Sequence, residues 1–240
     1  MATIAALGFA APAGALDNQA QYEACMTLLQ RDPSGALDSA VEWERQGGGD
    51  AARHCKALAL IRTGEVEDGA LELERVAQAM PQARAPLASE LFAQAGQAWI
   101  KAGNPQRALY AQNQGLKLNP ESVELLIDRA VTFGTSGMYF EALDDLNAAV
   151  DLSPDNPDIY AMRAAAYRQL ENPDLAKDNI EQALKLSPSH PSALLERGYL
   201  RRARGDIAGA RTDWLTVIQV MPGTDIAEEA QKNIEKLEIK

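Results

Sequence analysis

Three arginines recur at one interval along the chain, each inside a segment that is otherwise largely apolar. Arg129 stands in LLIDRA, Arg163 in YAMRAA and Arg197 in LLERGY, and the two intervals between them are both 34 residues. A guanidinium group binds a carboxylate or a phosphate through two parallel hydrogen bonds, so the three arginines could bind an anionic ligand. They could equally pair with carboxylates of the scaffold, because a buried charge without a partner is unfavourable.

Carboxylates at a constant distance from the arginines favour the second explanation. Asp145 lies 16 residues after Arg129, and Asp213 lies 16 residues after Arg197. In the middle segment the same offset holds Asn179, directly after an aspartate. A ligand-binding row of cations would have no reason to be accompanied by acids at fixed spacing. We therefore predict three structural ion pairs: Arg129 with Asp145, Arg163 with Asp178, and Arg197 with Asp213.

The two histidines of the chain, His54 and His190, show no pattern that predicts catalysis. Neither belongs to a Ser or Cys arrangement that suggests a nucleophilic triad. The chain has no glycine-rich phosphate loop, and GGGD at 47–50 is most simply a flexible link that ends in a helix N-cap at Asp50. We expect no enzymatic activity, no catalytic residue, no metal site and no cofactor.

Composition and charge exclude two other classes of function. Acidic residues number 34 and basic residues 23, so the formal net charge is −11, which repels a nucleic-acid backbone. The sequence has no run of about 18 apolar residues, so it predicts no membrane-spanning segment. We expect no nucleic-acid partner and no transmembrane segment.

Prolines and amphipathic segments indicate how the arginines are positioned. Pro120, Pro154, Pro188 and Pro222 are again 34 residues apart. Ahead of each lies a segment such as EALDDLNAAVDLSP, whose apolar residues recur at helical spacing. A second helical segment precedes it, across a turn rich in glycine, asparagine and proline. Each 34-residue repeat is therefore predicted to be a helix, a turn and a second helix.

The first 15 residues differ from the rest of the chain. They carry no charge and end in Ala13-Gly14-Ala15, a small-x-small pattern that signal peptidases recognise, although a basic N-terminal region is missing. We interpret residues 1–15 as the remnant of a signal peptide, and therefore predict export to the bacterial periplasm. The alternative is an apolar N-terminal tail of a cytoplasmic protein. Two cysteines, Cys25 and Cys55, predict one disulfide in an exported chain, or two buried thiols in a cytoplasmic one.

The repeating pattern resembles the tetratricopeptide repeat. Its small residue in the first helix is matched by Ala57, Gly96, Ala130, Ala164 and Gly198, and its alanine in the second helix by Ala108, Ala142, Ala176 and Ala210. The resemblance implies an all-α fold, a right-handed superhelical solenoid of αα-hairpins over residues 16–240. Repeats are expected at 17–49 (degenerate), 50–83, 89–122, 123–156, 157–190 and 191–224, followed by a capping helix at 225–239.

In this family the first helix of each repeat lines a concave groove, so the resemblance also implies a set of partner-binding residues. They are Gln97, Lys101, Glu124, Ile127, Asp128, Val131, Asp158, Ala161, Met162, Ala165, Arg168, Leu195, Glu196, Tyr199 and Arg202. This set combines an apolar floor with an acidic edge. The repeat positions also place Cys25 and Cys55 on the first helices of adjacent repeats, where their side chains are expected to meet.

The expected function is that of a non-catalytic adaptor in the cell envelope, which binds a protein or peptide segment with apolar and basic character in the groove. Three alternatives stay open. The protein could be a cytosolic chaperone-like or regulatory module, it could associate with itself during an assembly process, or the groove could be merely a solvated helical face.

Overall fold

The computed structural model describes residues 13–238 of the protein, and throughout this range the only regular secondary structure is helical. The all-α repeat fold predicted from the sequence is confirmed. Of the predicted signal-peptide remnant, residues 1–12 lie outside the described residues, and Ala13 begins the first helix. The chain forms two compact units, with the boundary between Pro120 and Glu121.

The N-terminal unit contains six α-helices and a short 3-10 helix in its described part. They are α1 (Ala13–Arg31), α2 (Pro33–Arg45), α3 (Gly49–Thr63), α4 (Val66–Ala79), the 3-10 helix (Gln82–Arg84), α5 (Ala85–Lys101) and α6 (Pro105–Leu118). Helices that follow one another in the chain pack together within this unit. Of the five residues that interrupt the 34-residue period, 84–88, the first ends the 3-10 helix and the other four begin α5, which is longer than α3.

The C-terminal unit contains seven described α-helices. They are α7 (Val123–Thr135), α8 (Tyr139–Leu152), α9 (Pro157–Gln169), α10 (Pro173–Leu186), α11 (Pro191–Ala203), α12 (Ile207–Val220) and α13 (Asp225–Glu238). The arginines at 34-residue intervals lie on α7, α9 and α11, the first helix of each pair. The last helix, α13, packs against α12 and α11 and buries Ala227, Ala230 and Ile234.

Local sequence explains where the helix pairs turn. Asn104, Asn172 and Asp206 cap the second helices, each side chain accepting a hydrogen bond from a backbone N–H three residues ahead. The residue before each of these caps has a left-handed backbone. It is glycine at Gly205, with φ of 84°, but a glutamate at Glu171, with φ of 55°. Glycine adopts this conformation without strain, whereas a residue with a Cβ does not.

Small residues allow the two helices of a pair to pack closely. A Cβ placed on Gly198 of α11 would lie 2.7 Å from Cδ1 of Trp214 on α12. Trp214 is completely buried, and its indole N–H donates a hydrogen bond to the carbonyl of Leu195 at 3.2 Å. The small residue in the first helix and the large one in the second therefore fit each other, which fixes the face that each first helix presents.

Candidate functional site

Two of the three predicted arginine–aspartate pairs are present in the C-terminal unit. Arg129 donates from Nε and Nη2 to the two carboxylate oxygens of Asp145, at 2.8 and 2.6 Å. Arg197 binds Asp213 in the same way, at 3.0 and 2.6 Å. Arg201 donates to Asp213 as well, at 2.8 Å. These guanidinium groups link the first helix of a pair to the second and are not directed at a ligand.

The predicted pair between Arg163 and Asp178 is wrong, since no ion pair joins them among the described residues. Asp178 is exposed on the solvent side of α10. The residue that faces inward there is Asn179, and its amide donates to the carbonyl of Leu175 at 2.8 Å. The Arg163 guanidinium lies instead over the ring of Tyr160, 6.0 Å from its centre. The amide of Asn179 carries no charge, so this repeat lacks the carboxylate with which Arg129 and Arg197 form ion pairs.

The predicted groove residues differ in how much surface they offer. Gln97 and Lys101 on α5 are exposed, and in the C-terminal unit so are Glu124, Val131, Asp158 and Arg202. Ile127, Asp128, Met162, Ala165, Arg168 and Tyr199 are half-buried. Ala161, Leu195 and Glu196 are buried, with 1%, 6% and 6% of their surface exposed. These three side chains therefore offer little surface to a partner, and their assignment to a partner-binding surface stays a prediction that their burial does not favour.

A pocket of about 270 Å³ opens in the C-terminal unit where α7, α8 and α9 meet. Three predicted groove residues line it, Val131, Met162 and Ala165. Further lining residues, which the sequence analysis did not select, are Ala130, Gly134, Thr135, Tyr139, Ala142, Leu146, Ala166 and Gln169. The lining is mostly apolar and rich in small side chains, which leave space between the helices. A pocket of this kind accepts an apolar side chain rather than a charged one.

Carboxylates stand on the same helix faces as this pocket. Glu124 lies seven residues before Val131 on α7, and Asp158 lies seven residues before Ala165 on α9, so each shares a face with a pocket residue. Both acidic side chains are exposed. Asp158 also accepts a hydrogen bond from Nε2 of His190 at 3.0 Å. The Nδ1 atom of His190 accepts from the backbone N–H of Ala193 at 3.3 Å, which requires the proton to be on Nε2.

Tyr199 and Arg168, both predicted to contact a partner, are held within the C-terminal unit. The hydroxyl of Tyr199 donates to Glu229 on α13 at 2.5 Å and accepts from the amide of Asn233 at 2.7 Å. Burial, together with the hydrogen bond to Glu229, raises the pKa of Tyr199 to about 12. Arg168 lies 4.5 Å from the centre of the Tyr199 ring and forms a two-bond ion pair with Glu196. The last helix therefore occupies the surface that was predicted to receive a ligand near Tyr199.

Burial also changes the pKa of Glu196 in the Arg168–Glu196 pair. Removal of the Glu196 carboxyl from water raises its pKa, and the neighbouring Arg168 lowers it in part. A carboxylate that is buried and already bound by an arginine has little capacity to select a ligand. Of the predicted acidic edge, Glu124 and Asp158 are the two exposed members.

A second pocket, of about 500 Å³, lies in the N-terminal unit. A chain of hydrogen bonds crosses one side of it: Nδ1 of His54 lies 2.8 Å from the Tyr22 hydroxyl, and Nε2 lies 2.8 Å from Oε1 of Gln94. Because a carbonyl oxygen only accepts, Nε2 carries the proton and Nδ1 accepts from Tyr22. Burial lowers the pKa of His54, and its hydrogen bond to Gln94 opposes part of that shift. The chain connects α1, α3 and α5.

Sequence reasoning missed this pocket, although the repeat pattern contained a signal for it. Tyr22 and Gln94 each stand five residues after the first residue of their predicted repeats, and His54 stands four residues after that of its own. Other lining residues are polar or apolar in about equal number, among them Asp50, Val76, Arg84, Glu90 and Leu91. Arg84 donates to Asp50 at 3.1 Å.

The structure joins Cys25 of α1 to Cys55 of α3 in a disulfide, with their Cα atoms 6.4 Å apart. Both residues are buried, with 3% and 0% of their surface exposed. Cys55 directly follows His54, and Cys25 stands one helical turn after Tyr22. The disulfide and the hydrogen bond between Tyr22 and His54 therefore link the same two helices, and Tyr22 and His54 line the second pocket.

The described part of the chain contains neither a cluster of metal ligands nor a membrane-spanning helix. Within residues 13–238, no three His, Cys, Asp or Glu side chains are grouped so that they could bind a metal ion. None of the helices described above is both long and apolar enough to cross a membrane.

Comparison with solved structures identifies proteins of similar fold. PilF of Pseudomonas aeruginosa superposes with a TM-score of 0.67 at 14% identity, covering 91% of this chain and 98% of its own. MamA of Desulfovibrio magneticus RS-1 has a TM-score of 0.61 at 20% identity, over 73% of this chain and 97% of its own. YrrB is described as a tetratricopeptide protein with an unusual peptide-binding site. It has a TM-score of 0.60 at 20% identity, and the match covers 77% of this chain and 97% of YrrB.

Comparison of sequences identifies the family. No curated protein sequence gives a significant match. Two family models, both described as tetratricopeptide repeat, match residues 96–167 and 161–224. Together they span residues 96–224, more than half of the 240 residues of the chain. These matches coincide with the helix pairs, the small residues at their crossings and the 34-residue interval, and the chain therefore belongs to the tetratricopeptide repeat family.

Proposed function

We propose that the protein is a non-catalytic interaction scaffold of the cell envelope, which binds a partner segment carrying both apolar and basic residues. The observation that carries the proposal is the apolar pocket between α7, α8 and α9, together with the exposed carboxylates Glu124 and Asp158 on the same helix faces. The family to which the chain belongs supports an interaction scaffold as the general function. YrrB, a protein of similar fold, is described as having a peptide-binding site, which also favours a peptide segment as ligand.

The chemistry of the site predicts two parts of the ligand. An apolar side chain enters the pocket and contributes most of the binding energy, because buried apolar anchors dominate interfaces of this kind. A lysine or arginine near the anchor meets Glu124 or Asp158 at the exposed edge. Such edge contacts mainly increase the association rate and reject acidic segments.

The hydrogen bonds of the two histidines fit a binding function better than a catalytic one. His54 is hydrogen bonded to Tyr22 and Gln94, and His190 to Asp158 and a backbone N–H. A nucleophilic triad would need a serine or cysteine within hydrogen-bond reach of one of these rings. These hydrogen bonds of the two imidazoles lie within the helical scaffold, where three of them join different helices and the fourth caps α11.

The disulfide and the N-terminal sequence support the cell envelope as the compartment. Disulfides persist in oxidising compartments and are uncommon in the cytoplasm. The uncharged segment of residues 1–15, with its small-x-small ending, adds support for export. A cytoplasmic regulatory or chaperone-like role is the alternative, and an intact N-terminus in the protein isolated from its native host would favour it.

Selection from a random peptide library on the full chain tests the binding proposal. We expect enriched peptides to combine an apolar residue with lysine or arginine. Glu124→Gln combined with Asp158→Asn should weaken such a peptide about tenfold and reduce the salt dependence of binding. Asp178→Asn combined with Glu181→Gln changes the net charge equally on the exposed side of α10, and this control should bind as the wild type does.

A second pair of variants tests the pocket itself. Ala165→Phe places a ring in the pocket and should abolish binding, whereas Ala148→Phe makes the same substitution on α8 outside the pocket lining and should not. Affinity is measured by titration calorimetry, and circular dichroism verifies that each variant is folded. Selection of acidic peptides, or equal affinity of wild type and Ala165→Phe, would place the binding site elsewhere on the molecule.

A further inference from the structure

The pocket of the N-terminal unit has a mixed lining that comes from several helices. Its volume of about 500 Å³ lies in the range of roughly 300–1,000 Å³ that is usual for sites of small ligands. Leu87, Glu90, Leu91 and Gln94 recur at helical spacing and therefore share one face of α5. The remaining lining residues are Asn18, Gln19 and Tyr22 on α1, Asp50, Ala51 and His54 on α3, Val76 and Met80 on α4, and Arg84 of the 3-10 helix.

Apolar side chains in this lining offer a surface to an aliphatic group. Val76 and Leu91 are buried, Met80 is half-buried, and Leu87 is 38% exposed. A carboxylate stands among them, since Glu90 directly precedes Leu91 and follows Leu87 by nearly one helical turn. A ligand that covers the apolar side chains therefore also reaches a charged group, and removal of apolar surface from water favours its binding.

The charged side chains of the pocket leave one carboxylate uncompensated. Arg84 is the single permanent cation among the described lining residues, and it already donates to Asp50 at 3.1 Å. His54 is neutral in its hydrogen-bonded arrangement, with the proton on Nε2. Glu90 is exposed and forms no ion pair with any residue that the structure describes. The pocket therefore has no free cation for a phosphate or carboxylate ligand, and it has a carboxylate available for a cation.

Hydrogen-bond acceptors remain available on two sides of the pocket. Tyr22 uses its proton in the bond to His54, which leaves the lone-pair electrons of the phenol oxygen free to accept. Both carboxylate oxygens of Glu90 can accept as well. The amide N–H group of Gln94 is a neutral donor and does not offset the charge of Glu90. An ammonium group has three donors and no acceptor, so it complements these acceptors and the uncompensated charge together.

We propose that this pocket binds a primary ammonium group on an aliphatic stem, the chemistry that a lysine side chain shares with a free alkylamine. The ammonium group meets Glu90, and the stem lies against Leu87, Leu91 and Met80. The contact combines an ion pair with the removal of apolar surface from water, and the charge of Glu90 repels an anionic ligand. None of these residues belongs to the pocket between α7, α8 and α9, so this proposal and the proposed function can fail independently.

NMR titration of the full chain with three five-carbon probes tests the proposal. Pentylamine, pentan-1-ol and pentanoate share the aliphatic stem and differ in the charge of the end group. We expect pentylamine to shift the backbone amide signals of the pocket residues in a saturable manner. The alcohol should bind more weakly, and pentanoate should cause no saturable shift. Pentylamine that binds no more tightly than either of the other two probes would overturn the proposal.

A short peptide with one lysine among uncharged residues identifies the source of the amine, and its binding is followed through the same pocket signals. An affinity at least equal to that of pentylamine would assign the site to a lysine of a protein partner. Weaker binding than that of pentylamine would assign it to a free amine. The same peptide with its lysine acetylated keeps the stem without the charge, and it should bind less tightly than the unmodified peptide.

Variants of the pocket provide the control. Glu90→Gln removes the charge with little change in shape and should raise the dissociation constant of pentylamine about fivefold. Glu67→Gln on α4 should leave it unchanged, because Glu67 is also exposed but lies outside the pocket lining. Ala51→Phe places a ring in the pocket and should abolish binding, whereas Ala20→Phe on α1, outside the lining, should not.

Two results with these variants would overturn the proposal. One is wild-type affinity for pentylamine in Glu90→Gln, and the other is wild-type affinity in Ala51→Phe that is folded by circular dichroism. Glu90→Gln changes an exposed side chain, so it keeps the proposal testable if Ala51→Phe should fail to fold.

Discussion

Arg129 and Asp145 form an ion pair with two parallel hydrogen bonds, 2.8 and 2.6 Å long, between the first and second helices of one repeat. The carboxylate side chain is only 7% exposed and the arginine side chain 21%. Arg197 and Asp213 repeat the arrangement, with side-chain exposures of 36% and 2%. Matched spacing in the sequence is thus accompanied by matched geometry in the fold.

Breaking the Arg129–Asp145 pair on one side should destabilise the protein strongly. Asp145→Ala leaves the arginine without its partner, and we expect a loss of about 3 kcal/mol in the free energy of unfolding. Asp145→Ala combined with Arg129→Met should lose less, because no uncompensated charge remains. Urea denaturation measures the free energy of unfolding of both variants. Asp178→Ala, on the exposed carboxylate that does not pair with Arg163, is the control and should change stability little. Strictly additive effects of the two substitutions would contradict the pairing.

The Cys25–Cys55 disulfide should stabilise the N-terminal unit. The cysteines are 30 residues apart, and closing a loop of that length stabilises by about 3.5 kcal/mol in the chain-entropy model. We expect the variant with both cysteines replaced by serine to lose stability of this order. Thiol titration of denatured protein, purified from an oxidising compartment without reductant, should detect no free thiol. Two free thiols per chain would exclude the bond and weaken the argument for export.

The turn at Glu171 should be a position at which the protein can be stabilised. Its backbone is left-handed, with φ of 55°, at the position that Gly205 occupies in the next repeat. Glu171→Gly should therefore raise the free energy of unfolding by about 1 kcal/mol, because the strain of a side chain with a Cβ is relieved. Gly205→Ala makes the opposite change and should lower it by a similar amount. Thermal and urea denaturation should show that the two substitutions change the free energy of unfolding in opposite directions from wild type. Changes of the same sign would contradict the argument from backbone strain.

Stability should depend on pH through His54. Burial holds the pKa of this histidine below its ordinary value of 6.5, so below that pH the unfolded chain binds more protons than the folded one. The contribution of His54 is fully present above about pH 6.5 and is lost as the pH falls toward the lower pKa of the folded state.

His54→Gln provides the comparison for this pH dependence. The variant has no titrating ring, so its free energy of unfolding should fall less steeply than that of wild type between about pH 7 and about pH 5. The difference between the two curves isolates His54 from the carboxylates, which titrate in both proteins. Parallel curves over this range would show that His54 is not held neutral by burial.

Much of the scaffold was determined by the sequence alone, because the interactions that specify it are local. Three kinds of local signal each act within one helix pair. They are the prolines at a 34-residue interval, the small residues where helices cross, and caps such as Asn104 and Asp206. The pairs of Arg129 and Arg197 with aspartates 16 residues away also lie within a single repeat. Constant spacing therefore gives constant geometry where the residue types recur with it, as they do at Arg129 and Arg197 but not at Arg163.

Only the tertiary structure decided which of the predicted groove residues reach the surface. Repeat position gives the direction of a side chain from its own helix, but exposure depends on what the neighbouring helices place against it. Leu195 and Glu196 are covered in this way, and Tyr199 is bound by α13, a helix with no counterpart in the repeat pattern.

The N-terminal pocket shows the same limit of local information. Tyr22, His54 and Gln94 come from three different helix pairs, and their similar repeat positions do not show that their hydrogen-bonding groups meet. Their meeting depends on how successive helices pack, and packing optimises buried volume and hydrogen bonding over residues that are distant in the chain. The sequence determines the helices and their turns because those depend on neighbours along the chain, whereas pockets and exposed charges depend on neighbours in space.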